Sequence, residues 1–397
     1  MMAHLKDVPM FFVDKPYVSD FLKRTLRDND IPVVGTPAAA QMDLYPGTKI
    51  ISESDTIKML REPGHPPIYT NSENAIGWIS ENLPFSSLPG KIELFKNKLK
   101  FRELIKPLFP DFYFRGGSLE DLSRLSLNNL PTPFIIKPAV GFMSMGVYMV
   151  SGSEEWVETL KAIAREIAEV ETLYPESVLD TGTFIIEQCI EGEEFAIDAY
   201  FDSEGEAVVL NILKHVFASA ADVSDRVYIS SKEIIEKNLA DFTDFANNIG
   251  RLADVKNFPV HIELRRDGDG ILQPIEVNPM RFGGWCTTAD LTYHAYGFNP
   301  YLYYYEQKRP DWPELLQGKE GKSYGIVVLD NSTGVDIADI RSFDYEGLLT
   351  RFRKPLELRK IDFREYPVFG FLFTETDKDN FAELKEILES DLKEFIC

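Results

Sequence analysis

Cysteine is scarce in this chain: three in 397 residues, at Cys189, Cys286 and Cys397. An odd number at wide spacing argues against a disulfide framework and for reduced thiols in a cytoplasmic protein. Long apolar runs are missing too. No stretch approaches the roughly 18 residues of a membrane-spanning helix. Asp7 and Asp14 flank the short apolar patch Met10-Phe11-Phe12-Val13, so neither a membrane partner nor a secretory leader is expected. Positive charge is in deficit. Lys and Arg total 42 against 64 Asp and Glu, a formal charge of −22. That balance repels phosphate backbones and argues against a nucleic-acid partner. Two nucleotide-binding signatures are absent. The nearest approach to a P-loop, Gly321-Lys322-Ser323, has Leu316 where the first glycine belongs, and no glycine fingerprint of dinucleotide binding follows the first strand. His215, His261 and His294 lack metal-ligand spacing. Repeats and low-complexity linkers are also missing. Phosphate chemistry in such a chain has to rely on a few placed cations and on metal-binding carboxylates.

What remains is an ordinary globular composition, 44% hydrophobic and 27% charged, and a length suited to roughly two to four structural units. Met10 to Val13 reads as a strand, Val18 to Arg27 as a helix and Ile31 to Gly35 as a strand, an α/β opening that reaches to about residue 95. Ser151 with Glu154 forms a capping box ahead of an apolar stripe at Val157, Leu160, Ile163, Ile167 and Val170. Ser230 with Glu233 repeats the signature ahead of Leu239, Phe242, Phe245 and Ile249, with a stop at Gly250. Phe381, Leu384, Leu388, Leu392 and Phe395 predict a C-terminal amphipathic helix. All of these stripes read as core packing.

Three segments carry chemistry. In the first, His261-Ile262-Glu263-Leu264-Arg265 and Ile275-Glu276-Val277-Asn278 alternate apolar and polar residues around the turn signal Asp267-Gly268-Asp269-Gly270. A two-residue turn at Asp269-Gly270 sets Glu263 opposite Glu276, with Asn278 on the same face. A turn at Asp267-Gly268 slides the strands but keeps the residues on one face. Facing carboxylates are destabilising without a cation between them, and two carboxylates with one amide suit Mg²⁺ bound with phosphate oxygens. A solvated face balanced by Arg265 and Arg266 is the competing interpretation.

In the second segment, the strand Phe134-Ile135-Ile136-Lys137-Pro138 runs into a loop with Gly141, Phe142, Met143, Ser144, Met145 and Gly146. The glycines and serine allow backbone N–H groups to face phosphates, with Lys137 as a point charge at the base. An ordinary turn with a surface lysine is the alternative. The third is Phe184 to Phe195, a strand, a glycine turn and a strand, read as a hairpin with a charged tip. There Glu187 and the backbone of Gln188 to Ile190 could meet an adenine edge, and Glu194 a ribose.

Taken in this order, the segments resemble the ATP-grasp superfamily from about Asn97 to Gly284. The resemblance implies an α+β ATP-grasp fold, with the nucleotide between two subdomains. It implies a division into residues 1–96 (α/β), 97–310 (ATP-grasp, with a lid at about 113–185) and 311–397 (an α+β extension). Lys98, in Asn97-Lys98-Leu99-Lys100, is then the first phosphate-binding lysine and Lys137 the second, with Gly141, Ser144 and Gly146 in the loop over the phosphates. Glu187, Gln188, Ile190 and Glu194 become adenine and ribose contacts. Glu263, Glu276 and Asn278 become the ligands of a pair of Mg²⁺ ions, for which Mn²⁺ is a substitute. Many relatives carry an arginine two residues after that Asn; here Arg281 stands three residues on. It is assigned, with Lys137, to the catalytic charge at the transferring phosphoryl group. Lys214 and Arg226 are further candidates for phosphate, His261 for a supporting position beside the metal face, and Cys286 for a buried structural thiol. The implied activity is ATP-dependent activation of a small-molecule carboxylate for attack by an amine. The alternatives are a small-molecule phosphotransferase and a non-catalytic nucleotide-binding protein. A homodimer is the default assembly.

Overall fold

The computed structural model describes residues 9–62, 64, 66–141, 146–170, 182–219, 224–377 and 380–397. The chain opens with β1 (Met10–Phe12), β2 (Val33–Val34), β3 (Ile50–Ile51) and β4 (Ile68–Thr70), a parallel sheet in the order β3-β2-β1-β4. β1 is buried throughout, as the uninterrupted apolar run of a parallel strand requires. The helix after it spans Asp20–Asp28, starting later than its apolar pattern because the Ser19 side chain accepts from Leu22 N and caps it.

A second sheet follows. β5 (Phe114–Gly117), β6 (Phe134–Pro138), β7 (Tyr148–Val150) and β8 (Phe184–Gln188) form an antiparallel sheet in the order β5-β8-β6-β7. The helix Ser153–Val170 covers it, and this unit has a small core of its own around Phe134, Ile136, Trp156, Ile163, Phe184 and Ile186. Its inward stripe differs from the expected one. Trp156 and Ile163 are buried whereas Val157 is 50% exposed, and Glu155, not Glu154, accepts from Ser151 N.

The remaining strands make one sheet: β9 (Glu193–Phe201), β10 (Ala207–Val216), β11 (Val227–Ser231), β12 (Phe258–Arg266), β13 (Leu272–Pro279), β14 (Lys322–Asp330), β15 (Pro355–Lys360) and β16 (Val368–Asp377). All neighbours are antiparallel, in the order β13-β12-β9-β10-β11-β14-β16-β15. β8 and β9 do not form the expected hairpin. The turn at Gly192 carries the chain from the four-stranded antiparallel sheet to the eight-stranded one, and β8 pairs with β5 and β6 while β9 pairs with β10 and β12. The strands after residue 320 continue the central sheet through the β11–β14 pairing. Beneath them, the predicted Phe381-to-Phe395 helix stops at Glu389, because Ser390 is extended and Leu392 adopts φ 61°.

The long helix Lys232–Ala253 packs on one face of the central sheet, with Phe242 against Phe195. Ser231 caps its start. Gly250 does not end it; a Cβ there would lie 2.2 Å from the Phe201 ring, so the glycine permits close approach, and Asp254 in the left-handed region takes over the cap. Since Phe195 faces this helix, strand alternation turns Glu194, Ala196 and Asp198 to the other face. Register puts His261, Glu263, Arg265, Glu276 and Asn278 on that same face. The sheet therefore gathers its polar residues on the side opposite the long helix. Among the described residues no helix is long and apolar enough to cross a membrane.

Candidate active site

The hairpin β12–β13 pairs Glu263 with Glu276 and His261 with Asn278. The route to this register differs from the expected two-residue turn. Leu264 pairs with Pro274, so the tip turns through a longer loop and Ile275 is an extra residue, a bulge that restores the Glu263–Glu276 pairing. β13 is an edge strand, where proline and a bulge are tolerated.

The Asn278 amide donates to Glu276 at 3.0 Å and to Glu263 at 3.4 Å. Burial and the facing Glu276 push Glu263 well above the usual carboxylate range. Partial burial also opposes ionisation of Glu276, but Lys98 and Lys137 hold it below that range. Among the described residues no three His, Cys, Asp or Glu side chains converge as a self-sufficient metal site. Two carboxylates and an amide are a partial set of hard oxygen ligands, which Mg²⁺ completes with phosphate oxygens, so the residues fit that ion. His261 stands behind them. Its Nδ1 is 2.7 Å from Asp198 and its Nε2 3.6 Å from Glu263, and Asp198 also accepts from Gly283 N.

Two lysines approach from the other side. Asn97 caps the helix Lys98–Ile105, so Lys98 projects from its first turn. Its Nζ lies 3.3 Å from Glu276 and 3.3 Å from Gly141 O. Lys137 sits on β6. Ile135 opposes Glu187 on β8, so Lys137 lies diagonal to Glu187 on the same face, at 2.5 Å. Burial lowers the Lys137 ammonium pKa and Glu187 opposes that shift. Gly146 takes the left-handed region at φ 68°. Ser144 lies outside the described residues, as do Phe142, Met143 and Met145.

Glu187 is engaged through both oxygens, by Lys137 and by Arg102 Nε at 2.7 Å. Burial opposes its ionisation, yet the two cations bring its pKa to about 2. Each oxygen keeps a further lone pair for another donor. Gln188 is tied to Tyr113 by main chain and side chain. Arg265 donates to the Ile190 carbonyl at 2.6 Å and to Glu194 at 2.9 Å. Glu194 also meets His215 Nδ1 at 2.8 Å, and the Tyr228 ring stacks on His215 with centroids 4.2 Å apart.

Arg281 is buried, donating to Phe282 O and to Glu73 at 2.6 Å. Glu73 lies just after β4 and is also bound by Lys96; burial resists its ionisation, but these cations bring its pKa to about 2. Sequence reasoning missed Glu73 because its partner is 208 positions away and no local pattern marks it.

Two expected phosphate ligands lie elsewhere. Lys214 is part of β10, not beyond its end, and alternation turns it away from Glu194 and His215 toward an ion pair with Glu193. Arg226 is buried in the C-terminal region, bound to Asp330, Ser332 and the carbonyls of Ile387 and Ser390. Cys286 is buried, and burial raises its thiol pKa.

Residues 130–289 match the sequence profile of the ATP-grasp domain. No curated protein matches the sequence. Similar solved structures include an L-amino acid ligase from Bacillus licheniformis, with TM-score 0.69, 16% identity and coverage of 99% of this chain and 98% of that one. N5-carboxyaminoimidazole synthase from Aspergillus clavatus, in complex with ADP and 5-aminoimidazole ribonucleotide, gives TM-score 0.62 and 11% identity over 97% and 99%. The biotin carboxylase domain dimer of a Hydrogenobacter thermophilus 2-oxoglutarate carboxylase, solved with MgADP, gives 0.59 and 13% over 93% and 86%.

Proposed function

From the premise that this chain has the ATP-grasp fold and carries an ATP-grasp domain at residues 130–289, we propose that it is an ATP- and Mg²⁺-dependent carboxylate–amine ligase. The observation that carries this reading is the facing, half-buried pair Glu263–Glu276, with Asn278 beside it and Lys98 and Lys137 opposite. A purely structural core has little use for two like charges placed together.

In this proposal Glu263, Glu276 and Asn278 hold a pair of Mg²⁺ ions. When bound, that metal neutralises phosphate charge and polarises the transferring group. Lys98 and Lys137 hold phosphate oxygens, and Gly141 and Gly146 bound the loop that excludes water. The Gln188–Ile190 backbone meets the adenine and Glu194 takes the ribose, while Glu187 holds Lys137 in place. A substrate carboxylate oxygen attacks the γ-phosphorus, and the bond to the β-γ bridging oxygen breaks, releasing ADP. The acyl phosphate then loses phosphate as an amine attacks its carbonyl carbon, giving an amide. Arg281, held by Glu73, supplies fixed positive charge to the transferring phosphoryl group. The protein positions groups in line and performs no covalent step of its own.

The test is ADP release from ATP and Mg²⁺ across amino acids and small carboxylic acids, alone and with amines. ADP formed with a specific carboxylate–amine pair, with phosphate as co-product, is the expected result. A stable phosphorylated product without any amine would instead identify a phosphotransferase. MgATP binding with no ADP from any pair would identify a non-catalytic binding protein.

A further inference from the structure

Arg102 is an unusual residue to bury: 2% exposed, on the short helix that also carries Lys98. Four residues apart, the two side chains share a helix face. Lys98 reaches Glu276 and the Gly141 carbonyl. Arg102 reaches two other parts of the same cleft. Its Nε donates to Glu187 on the lid strand β8 at 2.7 Å, and Glu187 in turn holds Lys137 at 2.5 Å. Its Nη1 donates to Pro274 O at 2.7 Å, and Nη2 lies 3.5 Å from Ile275 O. Pro274 and Ile275 are the bulge of β13, and Glu276 is the next residue. The Phe112 ring covers the guanidinium at 4.5 Å.

We infer that Arg102 is a positioning residue that sets two arms of the site at once: the lid lysine, through Glu187, and the metal-binding carboxylate, through the β13 bulge. The planar fork of a guanidinium makes this possible, because its donors diverge at fixed angles. Without it Glu187 has a single cation to orient it and the bulge carbonyls lose a buried donor. The bulge decides whether Glu276 faces Glu263, since one residue of slip would turn Glu276 to the other face. A lysine here could satisfy one arm but not both.

This inference rests on the ATP reading, so the wild type is measured first. Calorimetric titration with ATP is run in EDTA, which reports the lysine arm, and in excess Mg²⁺, whose added affinity reports the carboxylate arm. For Arg102→Met both the affinity in EDTA and the gain from Mg²⁺ fall about tenfold, the range found when groups behind metal ligands are removed. Arg102→Lys does not restore both. Glu187→Gln, which keeps the shape of the network and leaves the bulge bonds intact, lowers the affinity in EDTA and keeps the Mg²⁺ gain. It decides the matter if Arg102→Met does not fold. A merely structural arginine gives the opposite pattern: Arg102→Met melts earlier but binds ATP unchanged in both conditions, and that overturns the inference. Glu187→Gln with no loss in EDTA, or with the Mg²⁺ gain lost as well, also overturns it. Absence of ATP binding by the wild type sinks the ATP reading itself, and the inference with it.

Discussion

Two neighbouring carboxylate arrangements, one buried and one half-buried, solve opposite problems. Glu187 lies between Arg102 and Lys137, so the chain provides its own counter-charges. Glu263 faces Glu276; Lys98 and Lys137 act on Glu276, and Glu263 meets the Asn278 amide at 3.4 Å and His261 at 3.6 Å. The first arrangement is finished by folding. The second is completed by something from solution. A compensated carboxylate here is framework, and an uncompensated pair is a place for a cation.

The sharpest way to break this comparison is Glu276→Gln. It should lower turnover by about 10³-fold, the loss expected when charge stabilisation at a transition state is removed, while the protein stays folded. Rates of ADP release and a thermal melt check both halves, and a Glu276→Gln variant with Mg²⁺-dependent turnover would falsify the metal assignment. The reverse should hold at the other arrangement. Glu187→Ala leaves Lys137 and Arg102 buried without their carboxylate, so urea unfolding should show a loss of about 3–5 kcal/mol.

Acid probes the framework class next. Glu73 and Glu187 have pKa values of about 2 in the fold against an ordinary 4.5. Depressed carboxylates stabilise above their unfolded pKa and lose that contribution as pH falls through the folded value. The window is therefore pH 4.5 down to 2, with about 3 kcal/mol at stake for each group. Urea midpoints across that window should fall, and Glu187→Gln should flatten the slope.

A smaller effect belongs to the support of the metal pair. Asp198→Asn disturbs the orientation of His261, and the Mg²⁺ concentration for half-maximal rate should rise about tenfold. The smallest effect sharpens the comparison from outside. Lys214 lies on the opposite face of the sheet, so Lys214→Ala should leave turnover within about twofold, as surface substitutions away from a site do.

Much of the site was legible because β-strand periodicity is strict. Alternation put Glu276 and Asn278 on one face, and a two-residue turn read at Asp269-Gly270 set Glu263 opposite Glu276. The predicted turn was nevertheless too tight, and a bulge at Ile275 compensated; bulges answer to packing and leave no clear local mark. Lys137 stood out as a lysine at a strand end, and Lys98 through the family resemblance of its segment. Arg102 and Glu73 did not, since their partners are 85 and 208 positions away. The Gly192 turn misled for a related reason. A glycine turn between two strands is the usual sign of a hairpin, but here the strands find better partners in two different sheets.

By itself the sequence determined the elements, the polar face of the β12–β13 hairpin and the shortage of cations that makes each placed lysine count. These follow from local periodicity and composition, which act within a few residues. Tertiary structure alone decided which charges are compensated. Counter-charge depends on distance in space, and the residues that neutralise Glu187 and Arg281 come from distant parts of the chain.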